Sequence, residues 1–268
     1  MIAFLPKIKQ SEREIVMEQR QCPSTVEQIL EWKCKCKTPD NEWSNSVEEF
    51  QKQYTTLCGG EDVTDVLYSF LGIYAIGVWV FNHKELNSDI FKIDKIRIRV
   101  KNENNEYQYL CSKNFLLKIQ TNKINNIDVS KLNICIDPYA KLYFKAGNLI
   151  PMWPGGNTKK GNQNNGYMDI PELFFKKYYK WFILLMKDDH AFLEDINKFM
   201  IEKEKHLVSF TDFIEYVGSE NNYKEYIKHI VNVIDKRTKN IAEAVNREPK
   251  KAISAYPLSS ASLLSPIV

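Results

Sequence analysis

The stretch Lys95–Lys101 reads KIRIRVK and alternates basic with apolar side chains. Successive side chains of a β-strand point to opposite faces, so the three apolar residues of this stretch would share one face and the four cations the other. The polar run Asn102–Glu106 (NENNE) predicts a turn, and Tyr107–Cys111 (YQYLC) predicts the returning strand. The sequence therefore predicts an antiparallel hairpin with one apolar and one charged face.

Further segments are expected to extend this sheet and to surround it with helices. Phe115–Ile119 and Leu132–Ile136 are short and apolar, so we expect strands there and a sheet over residues 86–146. Capped or apolar-striped segments predict helices in residues 1–85 and 169–247. The expected fold class is α+β, with N-terminal helices, a central antiparallel sheet and a C-terminal helical bundle. We expect one domain over residues 1–250, with a loop at 147–168, followed by an apolar tail at 251–268.

Helix starts and one long stripe support the helical parts. Ser24–Glu27, Ser209–Asp212 and Asp169–Glu172 each begin with a side chain that can cap a helix, and capping accounts for Asp169 and Glu172 without any catalytic role. Asn221–Val245 carries the longest apolar stripe. Arg237 interrupts that stripe, and a cation at such a position usually has a carboxylate partner or a function.

Val66–Phe81 (VLYSFLGIYAIGVWVF) is a run of 16 residues without a charge. As a helix it would be about 24 Å long, which is short of the ~30 Å hydrocarbon core of a membrane. We therefore expect a buried core element, and a membrane span is the less favoured alternative. Gly72–Phe81 is rich in β-branched and aromatic residues, which favours a buried strand for this half.

Composition excludes several classes of protein. With 44% hydrophobic and 26% charged residues, the 268-residue chain is neither disordered nor a disulfide-stapled miniprotein. Its net charge of +3 indicates no particular partner. We find no secretory signal, so we expect a cytoplasmic protein whose six cysteines are reduced thiols. One C-x-C and scattered single cysteines do not match a zinc site, and we expect no metal and no cofactor.

Gly147–Met168 contains five glycines, two prolines and five asparagines in 22 residues, which predicts a long loop. Glycine-rich backbone beside Asn157, Lys159 and Lys160 is suited to binding an anion or a phosphate. The loop is not a Walker A motif, because Asn162 stands where that motif requires lysine. The alternative is a packed loop that uses its glycines for turns.

The charged face of the predicted hairpin is the second candidate for ligand binding. Lys95, Arg97 and Arg99 would lie together on it, with Tyr107 and Tyr109 on the partner strand. Phosphates would neutralise such a row of cations, and the tyrosines could stack on bases. A solvated edge strand that avoids strand pairing is the alternative.

A third candidate is the acidic cluster Asp188, Asp189 and His190, with Glu194 one helical turn beyond the histidine. A carboxylate beside an imidazole can act as a general base or hold a divalent metal. The cluster also lies where one predicted helix ends and the next begins, where aspartate is a common cap.

The loop carries a weak resemblance to known families. Gly147, Asn148, Leu149, Pro151 and Asn157 form a "GN-L-x-P…N" pattern, and the pattern resembles a motif of bacterial families of unknown function. It is also similar to a "GNL" box in the HNH-like nuclease part of restriction systems that act on modified DNA. The resemblance implies a bacterial origin and a connection with nucleic acid. The chemistry of those nucleases uses a catalytic histidine from an upstream motif, whereas His83 lies 64 residues before Gly147 in no such motif.

Three hypotheses on function follow from these candidates. In the first, a cytosolic bacterial protein binds or acts on nucleic acid, in a context like phage defence, through the basic strand and the loop lysines. In the second, a protein-interaction module without catalysis uses the loop and the apolar tail to dock a partner. In the third, a metal-dependent hydrolase uses the acidic cluster. Whether the chain is an enzyme stays open at this point.

Overall fold

The computed structural model describes residues 23–35, 64–82, 91–94, 97–102, 104–120, 127–151, 170–174, 195 and 210–247. Within these residues the chain has the α+β fold expected from the sequence. In chain order the elements are α1 (Val26–Lys35), β1 (Thr64–Val66), α2 (Phe70–Asn82), β2 (Phe91–Asp94), β3 (Arg97–Lys101), β4 (Tyr107–Tyr109), α3 (Lys113–Gln120), α4 (Ser130–Ala140), β5 (Leu149–Pro151), α5 (Phe210–Val217) and α6 (Glu220–Arg247). The division into one domain with an apolar tail stays a prediction.

Helix α2 is the centre of the core. Ten of its 13 residues are buried, and it packs against β3, α4 and α6. The expectation of a core element is confirmed, but the expectation of a strand over Gly72–Phe81 is wrong. A segment that is buried on all sides shows no periodicity that distinguishes a helix from a strand. In addition, the preference of β-branched residues for strands is weaker than the effect of tertiary packing. In the part of the chain that the structure describes, no helix is long and apolar enough to cross a membrane.

Strands β2, β3 and β4 form an antiparallel sheet in that order. Arg99 pairs with Tyr109, so the predicted hairpin of β3 and β4 is confirmed. In the neighbouring strand pair, Phe91 of β2 pairs with Val100. The Asn102 side-chain oxygen accepts hydrogen bonds from two backbone amides of the predicted turn, both at 2.9 Å. Asn105 adopts a left-handed conformation with φ of 63°, which asparagine tolerates better than most residues.

The two other predicted strands of the sheet are wrong. Phe115–Ile119 lies inside α3, and Leu132–Ile136 lies inside α4. Their apolar residues recur at helical spacing once the neighbours are included, since Leu132, Ile136 and Tyr139 are buried and Ile134 is exposed. Hydrogen bonds at each start also favour a helix, as when the Ser130 amide donates to the Asp128 carboxylate at 2.8 Å.

A second, two-stranded sheet pairs β1 with β5 in antiparallel fashion. It joins the segment before α2 to the start of the predicted loop, and Val66 pairs with Leu149. A short 3₁₀ turn, Ala146–Asn148, precedes β5 and packs against α6. The first residues of the predicted loop are therefore part of the packed fold.

The predicted helices at both ends of the described chain are confirmed. Helix α1 begins with a reciprocal cap, because Thr25 Oγ1 accepts the Gln28 amide at 3.3 Å and Gln28 Oε1 accepts the Thr25 amide at 3.2 Å. Helices α5 and α6 pack on each other, and the stripe of α6 faces the core over Tyr223–Arg237. The helix predicted to start at Asp169–Glu172 is described only over residues 171–174, and the rest of that prediction lies outside the described residues.

Gly77 allows α4 and α6 to approach α2 closely. A Cβ atom at this position would lie 2.3 Å from Leu132 Cδ1 and 2.6 Å from the Tyr223 hydroxyl. We expect Gly77→Ala to lower the free energy of unfolding by about 1–3 kcal/mol, because overpacking outweighs the ~1 kcal/mol gain in helix propensity. Urea unfolding measures this change. In a Leu132→Ala background the same substitution should cost less, and an equal cost in both backgrounds would contradict the assigned clash.

Candidate functional site

The outer face of the three-stranded sheet gathers cations and tyrosines. Arg99 and Lys101 of β3 point to this face, and across from them lie Tyr109 and Tyr107 of β4. On the other side of β3, Lys92 of β2 pairs with Arg99. The predicted grouping of basic and aromatic residues on one face is thus present for the part that the structure describes.

Tyr107 is the best-defined member of this face. Its ring is approached by two cations, with the Arg99 guanidinium carbon 5.4 Å and the Lys101 ammonium nitrogen 5.7 Å from the ring centroid. Both distances are within the range of a cation–π interaction. Tyr107 remains 38% exposed, so part of its ring surface faces solvent.

The position of this face follows from the alternation of KIRIRVK. Phe91, Ile98 and Val100 are buried on the inner side of the sheet, where α2 packs against β3. Every second residue of β3 must then point outward, and these are the cations. The cations follow one another at about 6.8 Å along the strand. In the backbone register, Asp94 of β2 pairs with Arg97 of β3 at the end of the strand.

Several predicted site residues lie outside the residues whose side chains the structure describes. These are Lys95, Asn157, Lys159, Lys160, Asp188, Asp189 and His190, and the side chain of Arg97. Their roles stay predictions. Asp195, which follows the acidic cluster, is described, and its carboxylate accepts a hydrogen bond from the Lys236 ammonium of α6 at 2.5 Å. Among the described residues, no group of three or more potential ligands is placed to hold a metal ion.

The Gly147–Leu149 segment, which carries the family resemblance, is held by α6. The buried Arg237 guanidinium donates to the carbonyl oxygen of Gly147 at 3.1 Å and also to that of Leu149. The Gly147 amide donates to the Thr238 hydroxyl at 3.0 Å. A Cβ atom at Gly147 would lie 2.1 Å from the Ile234 carbonyl oxygen, so only glycine fits there. The described residues of the GN-L-x-P pattern thus make structural contacts. Their carbonyl groups also explain why the apolar stripe of α6 includes the cation Arg237.

Asn148 connects the same segment to the start of α2. Its side-chain oxygen accepts the Tyr68 amide at 3.0 Å, and its side-chain nitrogen donates to the Tyr143 carbonyl at 2.8 Å. Its own carbonyl accepts the Leu67 amide at 2.6 Å. Asn148 is buried, and these bonds satisfy polar groups that burial would otherwise leave without water.

Sequence reasoning missed a buried acid cluster around Glu172. The carboxylate is fully buried and accepts hydrogen bonds from the hydroxyls of Tyr68 at 2.8 Å and Tyr226 at 3.0 Å. His229 Nε2 lies 3.3 Å from the same carboxylate and 3.4 Å from the Tyr68 hydroxyl. The i, i+3 spacing of Tyr226 and His229 on α6 was visible in the sequence, but nothing there pointed to residues 54 or more positions away.

This cluster changes how its tyrosines ionise. Burial, followed by the negative charge of Glu172, raises the pKa of Tyr68 and Tyr226 well above the usual value. Burial likewise raises the pKa of Tyr223. Neutral hydroxyls can therefore serve as stable donors to the buried carboxylate, which has the hydrogen bonds that a buried charge needs.

These shifts predict an alkaline loss of stability. A folded-state pKa above the unfolded value gives stability that is present below about pH 10 and is lost as the pH rises toward the folded value. We expect the free energy of unfolding to fall above pH 10 by up to about 1.4 kcal/mol per pH unit for each such tyrosine. Urea unfolding at pH 8 to 11 measures it. Tyr226→Phe should flatten the slope, whereas Phe213→Leu, beside the Tyr226 ring, should leave it unchanged. Equal slopes in both variants would contradict the assignment.

No protein-family model, curated protein or solved structure matches this chain. Its function is therefore inferred from the geometry of its own residues.

Proposed function

We propose that this chain binds single-stranded nucleic acid on the outer face of the β2–β3–β4 sheet. The observation that carries the proposal is the exposed ring of Tyr107 with the cations of Arg99 and Lys101 beside it. A base needs an aromatic surface and a phosphate needs a cation, and this face offers both within one hairpin.

Electrostatics supports the nucleic-acid backbone as the ligand. Lys92, Arg99 and Lys101 lie on the same face, and Lys92 is exposed. Like charges directly across a strand pair repel each other, so the Lys92–Arg99 pair is stabilised when an anion lies between or over them. Each phosphate bound in this way releases counterions, which favours binding at low salt.

The aromatic residues favour a single strand over a duplex. Tyr107 and Tyr109 are two residues apart on β4 and share the face with the cations. A tyrosine ring can stack on an unpaired base, whereas bases in a duplex already stack on each other. A sheet of three short strands also lacks the helix or long ribbon that usually enters a major groove.

The sheet is a rigid support for this surface. Ile98 and Val100 are buried beneath it, and β3 is hydrogen-bonded on both sides. Side chains that extend from such a strand keep their relative positions, which lowers the entropic cost of binding. The alternative of a merely solvated face predicts no measurable affinity for oligonucleotides.

Fluorescence anisotropy with a labelled 12-residue oligouridine or oligothymidine tests the proposal. We expect Tyr107→Ala to weaken binding by about 5–150-fold, as for the loss of one base stack, and Tyr107→Phe to retain it. Arg99→Ala or Lys101→Ala should each reduce the slope of log affinity against log salt by about 0.7. Lys239→Ala on α6 removes an exposed lysine elsewhere and serves as the control. The proposal fails if there is no binding at low salt, or if Lys239→Ala acts like Lys101→Ala.

The loop lysines supply a second, independent prediction. If Lys159 and Lys160 also contact phosphates, the double variant Lys159→Ala/Lys160→Ala should reduce the salt slope by about 1.4. The same titration measures it, with Lys236→Ala/Lys239→Ala as a control of equal charge change. An unchanged slope in the loop variant would confine the binding surface to the sheet.

The proposed compartment is the reducing cytosol. Cys135 is a free, partly buried thiol. Free thiols are usual in a cytosolic protein. Intact mass after alkylation of protein purified without reductant tests this, and formation of disulfides under those conditions would contradict it.

A further inference from the structure

An apolar groove runs between α4 and α6. It has a volume of about 550 Å³, and its apolar surface comes from Ile134, Cys135, Pro138, Ile227 and Val231. Ile134 is 77% exposed, the highest value among the large apolar side chains that the structure describes as exposed. Such a concave apolar surface, in contrast to a single exposed residue, is typical of a site that binds another segment or protein.

The charges at the edge of the groove are already compensated. Lys224 lies 3.6 Å from Glu220, and Lys228 lies 2.8 Å from Glu225, each pair within α6. At the start of α4, hydrogen bonds from Ser130 and the charge of Lys131 lower the pKa of Asp128, so Lys131 also has a carboxylate nearby. A groove with paired charges at its edge and an apolar floor favours an uncharged occupant over an acidic one.

We propose that the uncharged segment Ala255–Val268 of this same chain occupies the groove. The segment has the sequence AYPLSSASLLSPIV, with four leucine or isoleucine residues and no charge in 14 positions. Burial of these apolar side chains in the groove would supply the driving force for docking. The proposal concerns a surface distinct from the sheet face and does not rest on nucleic-acid binding.

Residues 248–254 connect α6 to the proposed segment, and they are long enough for the segment to reach back to the groove. Helix α6 ends at Arg247, and Val231, at the near end of the groove, lies 16 residues earlier, which is about 24 Å along the helix. Residues 248–254 can span about 23–25 Å when extended. Ala255 can therefore reach Val231, and the following residues can run along the groove toward Asn221. A tether this short gives the segment a high effective concentration at the groove.

Photo-cross-linking in the full-length chain tests which segment lies in the groove. A benzophenone amino acid introduced at Leu258 should form an intramolecular cross-link to α4 around Ile134 or to α6 around Ile227, identified by peptide mass spectrometry. Cross-links elsewhere in the chain, or none, would overturn the proposal. A cross-linked dimer would overturn it as well, since it would assign the groove to a second copy.

Cys135 provides a second measurement that needs no cross-linker. Burial raises the pKa of its thiol to about 11, so its alkylation by N-ethylmaleimide is slow and depends on access to the groove. In the full-length chain, Leu263→Asp/Leu264→Asp should accelerate alkylation of Cys135 about tenfold or more, since charges in the segment oppose docking. Leu263→Met/Leu264→Met keeps the segment apolar and should leave the rate unchanged. Equal rates in the two variants would overturn the proposal, and circular dichroism verifies that both are folded.

Discussion

Tyr68 satisfies all its polar groups inside the core, and its hydrogen bonds reach three distant segments. Its amide donates to Asn148, its carbonyl accepts the Tyr139 hydroxyl at 2.7 Å, and its own hydroxyl donates to Glu172. These bonds connect the segment before α2 with the 3₁₀ turn Ala146–Asn148, with α4 and with the helical turn at 171–174. Loss of one partner would leave a buried polar group without water, at a cost of about 1–3 kcal/mol. Tyr68 therefore constrains the relative positions of these three segments.

The two faces of the β2–β3–β4 sheet also depend on each other. The inner residues Ile98 and Val100 pack toward α2. This helix is mostly apolar, so other elements have to cover it to keep it away from water. Because the side chains of β3 alternate, enclosing the helix forces the basic residues outward onto one surface. A platform of cations and tyrosines is thus a geometric consequence of the core. The binding that we propose for this platform depends on Tyr107, whose ring is partly exposed to solvent.

The sequence alone predicts the local features of this fold better than its long-range ones. The hairpin of β3 and β4 follows from strict alternation and a polar turn, and α6 follows from a long stripe. The strands predicted at Phe115–Ile119 and Leu132–Ile136 are wrong because five residues contain too little periodicity to distinguish a strand from a helix. The strand predicted within α2 is wrong because a fully buried segment has no polar face that would show its period.

The candidate sites likewise differ in whether their residues are close together in the sequence. Arg99 and Tyr107 could be grouped in advance, since they are neighbours across a hairpin that is closed by a local turn. In the cluster of Glu172, Tyr68 and His229, Tyr68 lies 104 positions from Glu172 and 161 positions from His229 in the sequence. No local sequence pattern predicts contacts between residues so far apart. Arg237 stood out as a cation on an apolar stripe, yet its acceptors are backbone carbonyls, which have no side-chain signature in a sequence.

Helix α6 also sets the distance between the two ends of the glycine-rich segment. Arg237 holds the residues that lead into it, and Tyr226 and His229 hold Glu172 just after it. These attachment points are 8 to 11 residues apart on one helix, which corresponds to about 12–17 Å. The contacts that fix both ends of the segment therefore come from one helix, whatever the number of residues between those ends.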